Sequence, residues 1–134
     1  MGEELARKRD LVVLIEKDPK IILKFVAYFK KTRSYQLVVF RQNWNLDLAF
    51  ALIDRIALVI CEDRLGGFED NGTNIFFHYR ECLASRSIPF ILLTSSPHDG
   101  FFEAATKAGM HPFQKKEPCL EAFDALVRQL GVTL

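Results

Sequence analysis

Four clusters of polar side chains interrupt the chain, each at the end of an apolar run. Glu16, Lys17 and Asp18 follow "LVVLI", and Glu62 and Asp63 follow "IALVIC". Thr94 closes "FILLT" with Ser95 behind it, and Lys115 and Lys116 follow "HPFQ". A carboxylate can attack phosphorus or bind a hard cation, while hydroxyl and ammonium groups stabilise phosphoryl oxygens. Gathered in one place, these residues would support phosphoryl-group or metal chemistry. Other chemistries lack their patterns. His78, His98 and His111 do not have metal-ligand spacing and read as surface or packing residues. No Ser/His/Asp or Cys/His order indicates a hydrolase, and Gly66, Gly67 and Gly72 do not form a phosphate-binding glycine loop.

The elements that must position these clusters are legible. Five short runs, 11–15, 35–40, 56–61, 90–94 and the weaker 111–114, are mostly rich in Val, Ile and Leu without polar alternation. That composition predicts strands of a parallel sheet covered on both faces. Asp18 as N-cap and Pro19 at the first helical position open a helix with an apolar stripe of Ile22, Phe25, Val26 and Phe29. Leu120, Phe123, Val127 and Leu130 form the stripe of the last helix, which Gly131 stops. Further helices are predicted at 46–54, 73–85 and 100–108.

Strand and helix thus alternate five times. The pattern predicts an α/β fold, a flavodoxin-like doubly wound five-stranded parallel sheet of order 2-1-3-4-5 with helices on both faces. Ligand sites in such folds lie outside the carboxyl ends of the strands, beside the switch point between strands one and three. All four polar clusters fall there.

Composition bounds the rest. The 134 residues, 49% hydrophobic, are enough for one domain spanning 1–134 with its core at about 11–131. A net charge of +1 gives no footprint for direct nucleic-acid or anionic-membrane binding. Cys61, Cys82 and Cys119 are odd in number and widely spaced, so reduced packing cysteines are expected. No apolar stretch reaches the length of a membrane helix and "MGEELARKRD" is not a signal peptide, so a cytoplasmic location is expected.

Over nearly its full length the chain resembles the receiver domain of two-component response regulators. That family has an acidic pair after strand one, an Asp-x-x-Met/Leu-Pro-Gly turn bearing the phosphoacceptor, Thr/Ser-Ala after strand four, and Lys-Pro after strand five. Here "EKDP", "EDRLGG", "TSS" and "FQKKEP" occupy those places, and the distances from Thr94 to Gly109, Phe113 and Lys116 are similar. The resemblance implies that Thr94 is the switch hydroxyl, Lys116 the phosphate-binding lysine and Phe113 the aromatic switch.

The departures from the pattern shape the expected function. Glu62 stands at the phosphoacceptor position and Gly66 where proline is usual. One added methylene moves a carboxylate by about 1.5 Å, enough to spoil an in-line attack. Glu16 stands on the first acid and Lys17 on the second, and an ammonium cannot ligate a cation. Lys17 is therefore expected to supply the positive charge of the usual Mg²⁺, pairing with Glu16 or Glu62. Glu117 delays the proline after Lys116 to Pro118, and "GGFEDNGT" lengthens the acceptor loop.

The resemblance and its departures together imply a pseudo-receiver: a non-enzymatic signalling domain with a degenerate phosphorylation site, needing no cofactor. Its partner would be a signalling protein or an output domain, in the same longer chain or a separate one. Phe101, Phe102 and Phe113 would mark the output face, with one of the first two in an exposed apolar patch, and homodimerisation would use the fourth and fifth helices. One alternative is a phosphorylatable receiver that uses Asp63 or Glu62, with Mg²⁺ held by Glu16, Asp18, Glu62 and Asp63; its only catalysis would be its own phosphorylation and dephosphorylation. Another is a flavodoxin-like domain that binds a small ligand at the same strand ends.

Overall fold

The computed structural model describes residues 9–32, 34–41, 46–64, 71–95, 99–114 and 120–132. Its elements are β1 (Leu11–Ile15), α1 (Pro19–Lys30), β2 (Gln36–Phe40), α2 (Leu46–Phe50), β3 (Ile56–Glu62), α3 (Gly72–Ser85), β4 (Phe90–Thr94), α4 (Asp99–Ala108), β5 (His111–Gln114) and α5 (Leu120–Gln129). All strand pairs are parallel, in the order β2-β1-β3-β4-β5.

The unbroken aliphatic runs are explained by burial on both faces. Val12 and Leu14 of β1 pack with Phe25 and Phe29 of α1 and Phe123 and Val127 of α5. Leu11, Val13 and Ile15 point the other way, into a core closed by Phe50 of α2, Ile75, Phe76 and Leu83 of α3, and Ala105 of α4. Strand alternation therefore feeds two hydrophobic layers from one run.

One irregularity sets the phase of β3. Leu11 pairs with Ile56, yet Val12 pairs with Leu58, leaving Ala57 as an extra residue. Ile56 faces the α2–α4 layer, but Leu58 and Ile60 face α1 and α5. The bulge has switched the face that even-numbered residues occupy, as a one-residue slip must.

Two predicted elements differ in detail. The stripe of α1 is Ile21, Phe25 and Phe29, with Ile22 half-buried and Val26 exposed. Spacing of four residues lays these side chains along one row, whereas Val26 falls on the flank. The segment 46–54 is not one helix: α2 stops at Phe50, and a 3-10 turn at Ile53–Arg55 leads directly into β3. Arg55 anchors that turn with a two-pronged bond to Asp10, at 3.0 and 2.9 Å. The ends of α1 and α5 match expectation: Asp18 caps α1 by accepting from Lys20 N–H at 2.9 Å, and Gly131 takes a positive φ of 85° after α5. No described helix is long and apolar enough to cross a membrane.

Candidate functional site

Glu16 and Glu62 meet at the switch point. Ile15 pairs with Cys61, so the next residues on β1 and β3 are neighbours across the sheet. Glu16 continues the phase of Val12 and Leu14, and Glu62 that of Leu58 and Ile60, which places both on the α1/α5 side. They are 0% and 3% exposed. The main-chain N–H of Lys17 donates to Glu16 Oε2 at 3.0 Å and to Glu62 Oε2 at 3.3 Å. One amide thus bridges two buried carboxyl groups.

Lys17 contributes differently from expectation. Its side chain is exposed, and among the described residues no ion pair reaches its ammonium. An ammonium is costly to desolvate, so its long stem carries it to water while the amide, which has no such choice, faces inward. The backbone supplies the local positive dipole. Arg41, just after β2, ties the segment down by donating to the Lys17 carbonyl at 3.2 Å.

Thr94, 1% exposed, ends β4 one residue beyond Leu93, the partner of Glu62. Asp63 N–H donates to the Leu93 carbonyl at 2.7 Å, which ties the start of the loop to β4. The chain then leaves at Arg64 and returns at Asn71, the two forming an antiparallel bridge. Asn71 caps α3 by accepting from Asn74 N–H at 2.7 Å. Gly72 N–H donates to the Asp63 carbonyl at 2.9 Å, and Thr73 hydrogen-bonds the Asp63 side chain. Asn71 is absent from the site residues expected from the sequence, although an Asn just before a helical run is a capping signal.

Comparison with known proteins rests on structure. No family model matches the chain, and no curated protein matches it by sequence. Solved structures do match. The BeF₃-activated N-terminal receiver domain of RstA from Klebsiella pneumoniae is 23% identical, with a TM-score of 0.68 over 90% of this chain and 98% of that one. The signal receiver domain of an HD domain-containing protein from Pseudomonas fluorescens Pf-5 is 18% identical, with a TM-score of 0.72 over 92% and 94%. The signal receiver domain of a DNA-binding response regulator (merR) from Colwellia psychrerythraea 34H is 15% identical, also with a TM-score of 0.72, over 92% and 99%. The fold is that of a receiver domain.

The acids at this place each have a partner within the protein. Glu16 and Glu62 share an amide, Asp18 is engaged as the α1 cap, and Asp63 is bonded to Thr73. Among the described residues no three Asp, Glu, His or Cys side chains converge to hold a metal. Of the other expected site residues, Lys115, Lys116, Glu117 and Pro118 lie outside the described residues, as do Gly66, Gly67 and most of the lengthened loop.

Phe113 is half-buried against the α1/α5 layer, its ring 5.6 Å from Phe123. Phe101 and Phe102 are both half-buried, so the expected exposed member of that pair is absent. Phe101 packs on the α2–α4 layer with Ala105, and Phe102, roughly 100° round the helix, flanks that buried stripe. Exposed large apolar residues lie elsewhere: Leu23, Val26, Val39, Leu48, Leu52 and Phe77. Cys61 is buried beside the carboxylates, and burial, reinforced by Glu62, Glu16 and Asp63, holds its thiol well above its ordinary pKa. It packs as a neutral thiol. Cys82 is exposed, and Cys119 and His98 lie outside the described residues.

Asp63 is half-buried, and that burial raises its carboxyl pKa; Arg64 and the Thr73 hydrogen bond pull the other way, while Glu62 adds to the rise. The folded chain therefore binds this proton more tightly than the unfolded chain does. Its contribution to stability falls as pH rises from the ordinary carboxylate pKa through the raised one. Asp63→Asn keeps an acceptor for Thr73 and removes the charge, so a flatter pH profile and a higher Tm at neutral pH are expected in thermal melts. A lower Tm there would mean that the ionised carboxylate is favourable in the fold.

Proposed function

We propose that this chain is a signal-transduction domain of the two-component type that works through protein contacts and does not accept a phosphoryl group. The observation that carries the reading is the placement of Glu62. The side chain at the acceptor position is buried and bonded to the Lys17 amide beside Glu16, not held open at the mouth of a pocket. An attacking carboxylate needs access to its phosphodonor and in-line alignment. A carboxyl group built into that position stands in for the charge that phosphorylation delivers in a working receiver and holds one conformational state. Its partner is a signalling protein or output domain, met through the α4–β5–α5 face that carries Phe101, Phe102 and Phe113.

The first test is intact-mass spectrometry after incubation with acetyl phosphate and Mg²⁺. No adduct is expected on the folded protein. A phosphoryl adduct lost in Asp63→Ala would replace this reading with a phosphorylation switch at Asp63, the half-buried acid next to Glu62. The mimic role is tested by Glu62→Gln, which keeps size and removes charge. Amide resonances of Thr94 and Phe113 are expected to move. Shifts confined to Glu16, Lys17 and the end of β3 would leave the pair as a structural cluster only.

A further inference from the structure

Among the described residues, the edge of the sheet at β2 lacks the devices that usually blunt a sheet edge. Among these residues β2 pairs with β1 alone and forms one end of the strand order. Edges are ordinarily blunted by lysine, proline or a bulge. The run "QLVVF" contains no charge and no proline, and its register against β1 is regular throughout.

Beside this edge lies a groove of about 300 Å³ lined by Val26, Phe29 and Lys30 of α1 and by Tyr35, Leu37 and Val39. The helix covers only part of the β2 face, leaving Val26 39% and Val39 36% exposed. Leu23, one turn before Val26, is 66% exposed. The same Val26 and Leu23 fall outside the buried stripe of α1, so packing of the domain itself does not account for them.

Lys30 lines the groove, and the exposed charges on the rest of α1 have the same sign. Lys20, Lys24 and Lys30 are exposed on α1 with Lys31 behind them, Arg41 is exposed just after β2, and α1 contains no acid. A second copy docking by symmetric β2 pairing would bring two such basic rims together, and like charges across an interface oppose association. An extended acidic segment would find main-chain partners along the edge, apolar pockets at alternate positions and cations at the rim.

We propose that the β2 edge and the α1 groove form a docking site for an extended acidic peptide segment of a partner protein, which adds to the sheet as a sixth strand. The probe is a short peptide alternating valine with glutamate or aspartate, titrated into the isotopically labelled full chain and followed by NMR. Resonances of Gln36–Phe40 and of Leu23, Val26 and Lys30 are expected to shift. Val39→Lys and Lys30→Glu are each expected to weaken binding about tenfold, equivalent to about 1.4 kcal/mol. Leu48→Lys, a change at the 68%-exposed Leu48 of α2, should leave it unaltered. Equal binding of a lysine-for-acid peptide, or shifts located away from the groove, would overturn the proposal. So would a dimer in sedimentation that Val39→Lys dissolves, which would make a second copy the occupant. Displacement of the peptide by mixed phosphatidylcholine–phosphatidylglycerol vesicles would assign the surface to a membrane instead.

Discussion

Phe123→Ala is expected to lower the unfolding free energy by about 4 kcal/mol, the middle of the range for emptying a buried aromatic site. Phe123 is fully buried and is the hub of the α1/α5 layer. Its ring meets Phe25 at 4.9 Å, Tyr28 at 5.3 Å, Phe113 at 5.6 Å and Phe29 at 6.3 Å, all edge to face. Each such pair contributes about 0.5–1.5 kcal/mol beyond the area it buries. These contributions are not additive, because one substitution removes a shared partner from four rings at once. Against a typical domain stability of about 5–15 kcal/mol, the variant retains a fold of low margin. Urea denaturation is the appropriate measurement: the midpoint should drop with little change in slope. A loss below about 1 kcal/mol would mean that α1 and β5 collapse into the vacated space at small cost.

Gly72→Ala is the second large expected effect, and its origin is different. A Cβ on Gly72 would lie 2.6 Å from the Glu62 carbonyl oxygen and 2.5 Å from Leu92 Cδ1. The leucine methyl can rotate away, but the carbonyl belongs to the end of β3. Overpacking of this kind costs about 1–3 kcal/mol. Alanine's advantage over glycine inside a helix, about 1 kcal/mol, is mostly forgone at the first helical position. A net loss of about 2 kcal/mol is expected in denaturant unfolding. The site should also feel it. Pushing α3 off β3 strains the Gly72–Asp63 bond at 2.9 Å and moves the peptide next to Glu62. Amide resonances of Lys17 and Glu62 should therefore shift, and an unchanged Lys17 resonance would show that the two contacts are independent.

How much of this was legible in the sequence follows from what each feature depends on. The strands were readable because burial on both faces demands uninterrupted Val, Ile and Leu, a local compositional demand. Helix α1 was readable at its start, where Asp18 and Pro19 act within one turn, and misread along its stripe. Ile22 and Val26 satisfy helical spacing as well as Ile21 does, and only the direction of the sheet beneath decides which row is buried. Helix α2 was overextended because Leu52 and Ile53 continue an apolar pattern, while the short path into β3 forces a tighter turn. The pair Phe101 and Phe102 was separated into one buried and one exposed residue by periodicity, yet partial cover of both leaves neither exposed.

At the site, the sequence by itself determined that Glu16 and Glu62 would sit at the carboxyl ends of adjacent strands, since strand order and run length suffice for that. The tertiary structure alone decided what those residues touch. The bulge at Ala57 turns the later part of β3 so that Glu62 shares a face with Glu16. The Lys17 amide, a group every residue but proline carries and no pattern can reveal, sits between their oxygens. Gly72, which in the sequence only failed to complete a phosphate-binding glycine loop, is where α3 approaches the end of β3 too closely for a Cβ. Composition and periodicity report preferences of single residues, whereas a shared hydrogen bond or a close backbone approach is a property of two segments at a set distance, which exists only once the chain has folded.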